Sequence, residues 1–228
     1  MFETLIKIWK KKNLLPQVFD EFQEILVNAH EMFDSVCKKL IDNEEVPSLR
    51  KKIYEIDENI NRLQKDIRTK VVEHLIFQPA VDVSVCLLLM SVVKDAERLG
   101  DYCKNLLEVV YILGKPIDKK KYLYFFDVMD KKISELFKKT KEAFIESDEK
   151  KSITAWDYET KIVKRCDEIV EELAKSSLSI NEGVCLTLIA RYFKRLTAHL
   201  TNIATSVVLP ISELDHYDEG RRKESVTD

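Results

Sequence analysis

Glu97 and Asp101 stand four residues apart in the stretch Asp95-Ala-Glu-Arg-Leu-Gly-Asp101. On a helix, that spacing projects both carboxylates from one face, one turn apart. Two like charges so placed repel by roughly a few tenths of a kcal/mol unless a cation stands between them. A hard metal ion is one such cation, because carboxylate oxygens are hard ligands. Asp57 and Asn61 repeat the spacing in an earlier segment, with Glu55 and Glu58 nearby. If the two segments are neighbouring helices, Glu97, Asp101, Asp57 and Asn61 form an oxygen cluster suited to one metal ion. The ordinary alternative is a pair of solvated helix faces, with the acids of the first paired to Arg98 or Lys104.

Other polar residues carry weaker signals. Asn105 and Asn202 lie inside apolar helical segments, where Asn is a poor helix former. A buried Asn there is expected to make an inter-helix hydrogen bond that fixes register. Arg98 and Arg195 are expected to tie helices together through carboxylates. His199 lies one turn from Asn202, within reach of a shared polar contact, although core or surface filler is the ordinary reading of such a histidine. A di-iron oxidase of the ferritin type needs two Glu-x-x-His pairs on core helices. The single copy, Glu213 to His216, follows Pro210 near the chain end. No nucleophile elbow and no zinc signature occur. The reading is a non-enzyme.

The elements that position these residues follow from composition. The 228 residues include 4 Gly and 5 Pro, about a third of the usual share. Chains of short strands and tight turns consume both residue types. Phosphate loops need clustered glycines, and Gly100, Gly114, Gly183 and Gly220 are scattered. The fold class is all-α. Net charge is −3 from 37 basic and 40 acidic residues, which offers no basic footprint for nucleic acid. Cys37, Cys86, Cys103, Cys166 and Cys185 form no Cys-x-x-Cys pair, consistent with packed thiols in a reducing cytoplasm. The longest apolar run, Val85 to Val93, is about half of a membrane span.

Six long segments with 3- and 4-residue apolar steps are expected. They run over 16–42, from Pro47 through Val71, and over 79–112, 118–147, 149–176 and 180–209. Leu113-Gly114-Lys115-Pro116 is a helix stop, Gly and then Pro. Gly100 sits inside a helix between Glu97 and Asp101, where it costs about 1 kcal/mol relative to Ala. It is therefore expected to let a neighbouring helix or a ligand come close.

The two halves repeat. At an offset of 97 residues, Arg98 meets Arg195, Leu99 meets Leu196 and Asn105 meets Asn202. Each stretch follows an apolar run. The expected architecture is two tandem antiparallel three-helix bundles, 1–115 and 116–212, followed by a polar tail, 213–228. Residues 1–12 add a short basic amphipathic helix, with Phe2, Leu5, Ile6 and Trp9 at helical spacing.

The motif Glu97-Arg-Leu-Gly-Asp101 with Asn105 resembles the Glu-Arg-Ile-Gly-Asp…Asn signature of the PhoU family, the phosphate-transport regulators, with Leu99 in place of Ile. Lys194-Arg-Leu-Thr-Ala-His-Leu-Thr-Asn202 is similar to a decayed second copy. The likeness extends over nearly the whole chain. It implies regulation rather than catalysis: a cytoplasmic protein that restrains uptake or signalling by binding a membrane phosphate transporter or its sensor kinase. Some family members carry iron on acidic motifs of this kind. Carried over, Glu97 and Asp101 match fully and Asp57-x-x-x-Asn61 matches at its first position. Lys194-x-x-x-Ala198 has lost the pattern. The resemblance thus implies at most one site for iron or zinc, in the first unit. A metal-binding helical protein with no transporter role is the alternative function. Residues 1–12 suit either peripheral attachment at the inner membrane face or a short helix folded onto the bundle. A homo-oligomer stays open.

Overall fold

The computed structural model describes residues 16–44, 47–78, 82–146, 149–209 and 214. The amphipathic stretch 1–12, and Glu213 and His216 in the tail, lie outside these residues. Among the described residues are seven α-helices and no strand. They are α1 (Pro16–Cys37), α2 (Leu49–Phe77), α3 (Val83–Leu113), α4 (Lys119–Phe126), α5 (Met129–Glu146), α6 (Glu149–Ala174) and α7 (Ile180–Thr205). A π-helical turn, Lys38–Asp42, extends α1. No helix among the described residues is long and apolar enough to cross a membrane.

The apolar stripes become the core. Ile53, Ile60, Leu63, Ile67 and Val71 form the inner face of α2, all buried. α1, α2 and α3 pack on one another, as do α5, α6 and α7. The two sets join along α3 and α7, with a second contact between α1 and α5. One continuous apolar core runs through both sets. All five cysteines are buried free thiols.

Local chemistry sets the helix ends. Gly114 adopts φ 67° and returns its N–H to the Val110 carbonyl, closing α3 as its sequence predicts. Asp118 caps α4 by accepting from the N–H groups of Lys120 and Lys121 at 2.8 and 3.0 Å. Ser179 caps the start of α7 by accepting from the Glu182 N–H, and its hydroxyl lies 3.2 Å from the Glu182 carboxylate.

The segment expected as one helix over 118–147 is two. Asp127 takes φ 53° and ψ −124°, which ends α4, and α5 restarts at Met129. Two buried contacts depend on this bend. The Tyr122 hydroxyl donates to Asp130 Oδ1 at 2.9 Å. The Phe126 ring meets Phe193 of α7 edge-on, with centroids 5.8 Å apart. Phe126, Met129 and Ile133 keep a helical step across the break, so the periodicity gives no sign of it.

His30 marks the α1–α5 contact. Its Nε2 lies 2.7 Å from Ser134 Oγ, and its ring stacks on Phe137. Burial holds its pKa below the ordinary 6.5, and Lys138 and Lys141 push the same way, against Asp34. A depressed folded-state pKa means the unfolded chain binds this proton more readily. The stability it contributes is therefore complete above the ordinary value and is lost as pH falls below it. We expect the melting temperature to drop between about pH 7.5 and about pH 5.5, and His30→Gln to flatten that drop. An unchanged slope in His30→Gln would place the titration elsewhere.

Candidate functional site

The structure brings the four expected residues together where α2 crosses α3. Asp57 and Asn61 come from α2, Glu97 and Asp101 from α3. Gly100 makes the approach close. A Cβ on it would stand 3.2 Å from Ile60 Cδ1 and 3.3 Å from Asp57 Oδ1, tighter than ordinary packing. The glycine is there for a neighbouring helix, one of the two readings its position allowed.

The cluster also contains Lys104. Its ammonium lies 2.8 Å from Asp57 Oδ2 and 3.0 Å from Asp101 Oδ1. Asn61 turns its amide N–H toward the same Asp57 oxygen, at 3.1 Å. Asp57 is buried, with a side chain 9% exposed. Burial opposes the charge on Lys104, but hydrogen bonds to Asp57 and Asp101 more than offset it and raise its pKa above the lysine norm. Burial pushes the Glu97 carboxyl up, and Asp101 and Asp57 push it further. Asp57 and Asp101 thus share one internal cation, with Glu97 beside them.

A second polar group joins the two helix sets. Asp95 of α3 faces His199 and Asn202 of α7. His199 Nδ1 lies 2.6 Å from Asp95 Oδ1, and Asn202 Nδ2 donates to the same oxygen at 3.3 Å. The Tyr102 ring stacks on His199, with centroids 5.5 Å apart. Asn202 therefore makes the inter-helix bond expected of it. Asn105, half-buried on α3, makes no such bond among the described residues. Arg98 and Arg195 do not tie the helices. Both are exposed and form no ion pair among the described residues, because their positions face solvent while Asp95 faces α7. Asp95 was missed in the sequence. Its spacing of seven from Tyr102 puts both on one helix face, but nothing local says that α7 covers that face.

The family model described as the PhoU domain matches residues 22–110 and 126–207. The chain belongs to the PhoU family. A curated relative from Caulobacter vibrioides, a phosphate-specific transport system accessory protein PhoU homolog, is 26% identical over 154 residues, covering 65% of this chain and 67% of the relative. PhoU from Pseudomonas aeruginosa shares the fold, with TM-score 0.76 at 19% identity over 88% of this chain and 98% of that one. The phosphate transport system regulatory protein PhoU from Streptococcus pneumoniae has TM-score 0.73 at 18% identity, covering 88% and 94%.

In this PhoU-family chain, the signature's carboxylates can be tested against the iron or zinc its resemblance implies. Such an ion needs at least four ligands at about 2.0–2.6 Å. Asp57 Oδ2 is engaged by Lys104 and Asn61, and Asp101 Oδ1 by Lys104. Asn61 offers its donor end rather than its oxygen. Among the described residues, no three or more His, Cys, Asp or Glu side chains are disposed to hold a metal ion. As arranged, these residues fit an ammonium and not a metal. In the second half, Lys194 stands at the position of Glu97 and pairs with Asp167 of α6 at 2.6 Å.

Proposed function

We propose that this PhoU-family protein is a cytoplasmic regulator that restrains phosphate uptake and phosphate signalling by binding a membrane phosphate transporter or its sensor kinase. The observation that carries the reading is the family match in both halves of one chain, with a relative named as accessory to phosphate-specific transport. A non-catalytic mode of action accords with the Asp57–Lys104 and Asp95–His199 contacts, in which the polar side chains meet one another.

The end of the bundle where α2 meets α3 supports docking there. Phe77 is 81% and Ile76 68% exposed at the end of α2, and Val83 and Leu87 are exposed at the start of α3. The chain enters α1 at this same end, since Glu21 of α1 pairs with Lys70 of α2. Residues 1–12, basic and amphipathic by sequence, are proposed to add weak membrane attachment.

Affinity capture of the tagged full-length chain from membranes tests the reading. It is expected to recover a phosphate carrier component or its kinase. Deletion of residues 1–12 is expected to lower the membrane-bound fraction several-fold. Recovery of neither partner, together with unchanged phosphate uptake in cells lacking the protein, would overturn it.

A further inference from the structure

The acids of the PhoU signature raise the question of what neutralises them. Asp57, Glu97 and Asp101 converge across α2 and α3, and Asp57 is almost wholly buried. Buried like charges persist only with a counter-charge close by. Lys104 supplies it from one turn beyond Asp101 on the same helix. Its ammonium has three donors, of which two reach Asp57 and Asp101. Asn61 fills the next position on Asp57.

We propose that Lys104 is the resident cation of this cluster, so that the first half of the chain joins α2 to α3 without a metal ion. A divalent ion entering the site would have to displace the ammonium from both carboxylates. It would then stand beside a positive charge tethered to the same helix. The second half differs at the matching position. There the signature position itself is Lys194, and its charge is matched by Asp167. The second half thus has a lysine in place of one signature acid, and that lysine is paired within the chain.

The assignment makes Lys104 the residue that decides what the cluster binds. Lys104→Met keeps much of the stem and removes the charge. The three acids are then left to repel, and their oxygens become open to a hard cation. The experiment compares thermal melting in EDTA, in Mn²⁺ and in Zn²⁺, with metal content by elemental analysis. Wild-type protein is expected to hold far less than one metal per chain and to melt alike in all three. Lys104→Met is expected to melt several degrees lower in EDTA and to recover on adding Mn²⁺ or Zn²⁺. Lys104→Met with Asp57→Asn is expected to lose that recovery.

Near-stoichiometric metal in the wild type, with a lower melting temperature in EDTA, would overturn the proposal. So would a folded Lys104→Met that shows no response to either ion. If that variant does not fold, Lys104→Gln takes its place, and the wild-type comparison decides by itself. Partner capture has no bearing on these outcomes, so the proposal and the docking reading fail separately.

Discussion

Phe193→Ala is expected to lower the stability of the whole chain by about 3–5 kcal/mol, read by urea denaturation at constant slope. Phe193 is fully buried on α7. Its ring lies 5.9 Å from that of Phe33 on α1 and 5.8 Å from that of Phe126 on α4. It is therefore a contact among the first helix set, the bend after α4, and the second set. Truncation removes apolar area and leaves a cavity walled by rings on different helices. Those walls cannot all collapse inward, so both the transfer and the cavity contributions are felt. At this chain length, the change corresponds to a melting shift of roughly 6–20 °C. Phe193→Leu keeps most of the volume and is expected to cost less than about 1.5 kcal/mol. Tyr124→Ala, at a ring 72% exposed, is expected to be nearly neutral. A loss below about 1 kcal/mol for Phe193→Ala would mean that the two sets do not share one core.

Asp95→Ala is expected to cost about 2–3 kcal/mol. Its carboxylate is the common partner of His199 and Asn202, and it is 12% exposed. Removing it leaves two polar side chains of α7 facing α3 with nothing to meet. The lost term is thus the desolvation of His199 and Asn202 as well as their bonds. Asp95→Asn keeps an acceptor for His199 and is expected to cost less. In a double-mutant cycle, Asp95→Ala with His199→Ala should show a coupling of about 1 kcal/mol or more. Additivity within about 0.3 kcal/mol would show that this contact contributes nothing of its own to the joint.

How much was legible in the sequence varied with the range of the interaction. The 3- and 4-residue apolar steps announced the helices, because a helix face is a local property of period 3.6. The stop at Gly114 was equally local. The break at Asp127 was not legible, because Phe126, Met129 and Ile133 stay in phase across it. The bend goes with contacts to residues far along the chain, including Phe193. The cluster at Gly100 was half legible. The spacing of Glu97, Asp101, Asp57 and Asn61 pointed to one place, and the glycine marked a close approach. Lys104 was read as an ordinary alternative partner for a solvated face. Its reach to Asp57 depends on how α2 lies across α3.

The sequence by itself determined an all-α chain of two repeated helix sets and the turn of α3 that carries the signature. Scarce glycine and proline, helical period and an offset of 97 residues are properties of the chain alone. The tertiary structure decided which polar residues meet. It put Asp95 against His199 and Asn202, and it left Arg98 and Arg195 in solvent. It also placed an ammonium where spacing alone admitted a metal. The reason is that helix faces are set within a few residues, whereas the partner of a face is set by packing two faces from distant parts of the chain.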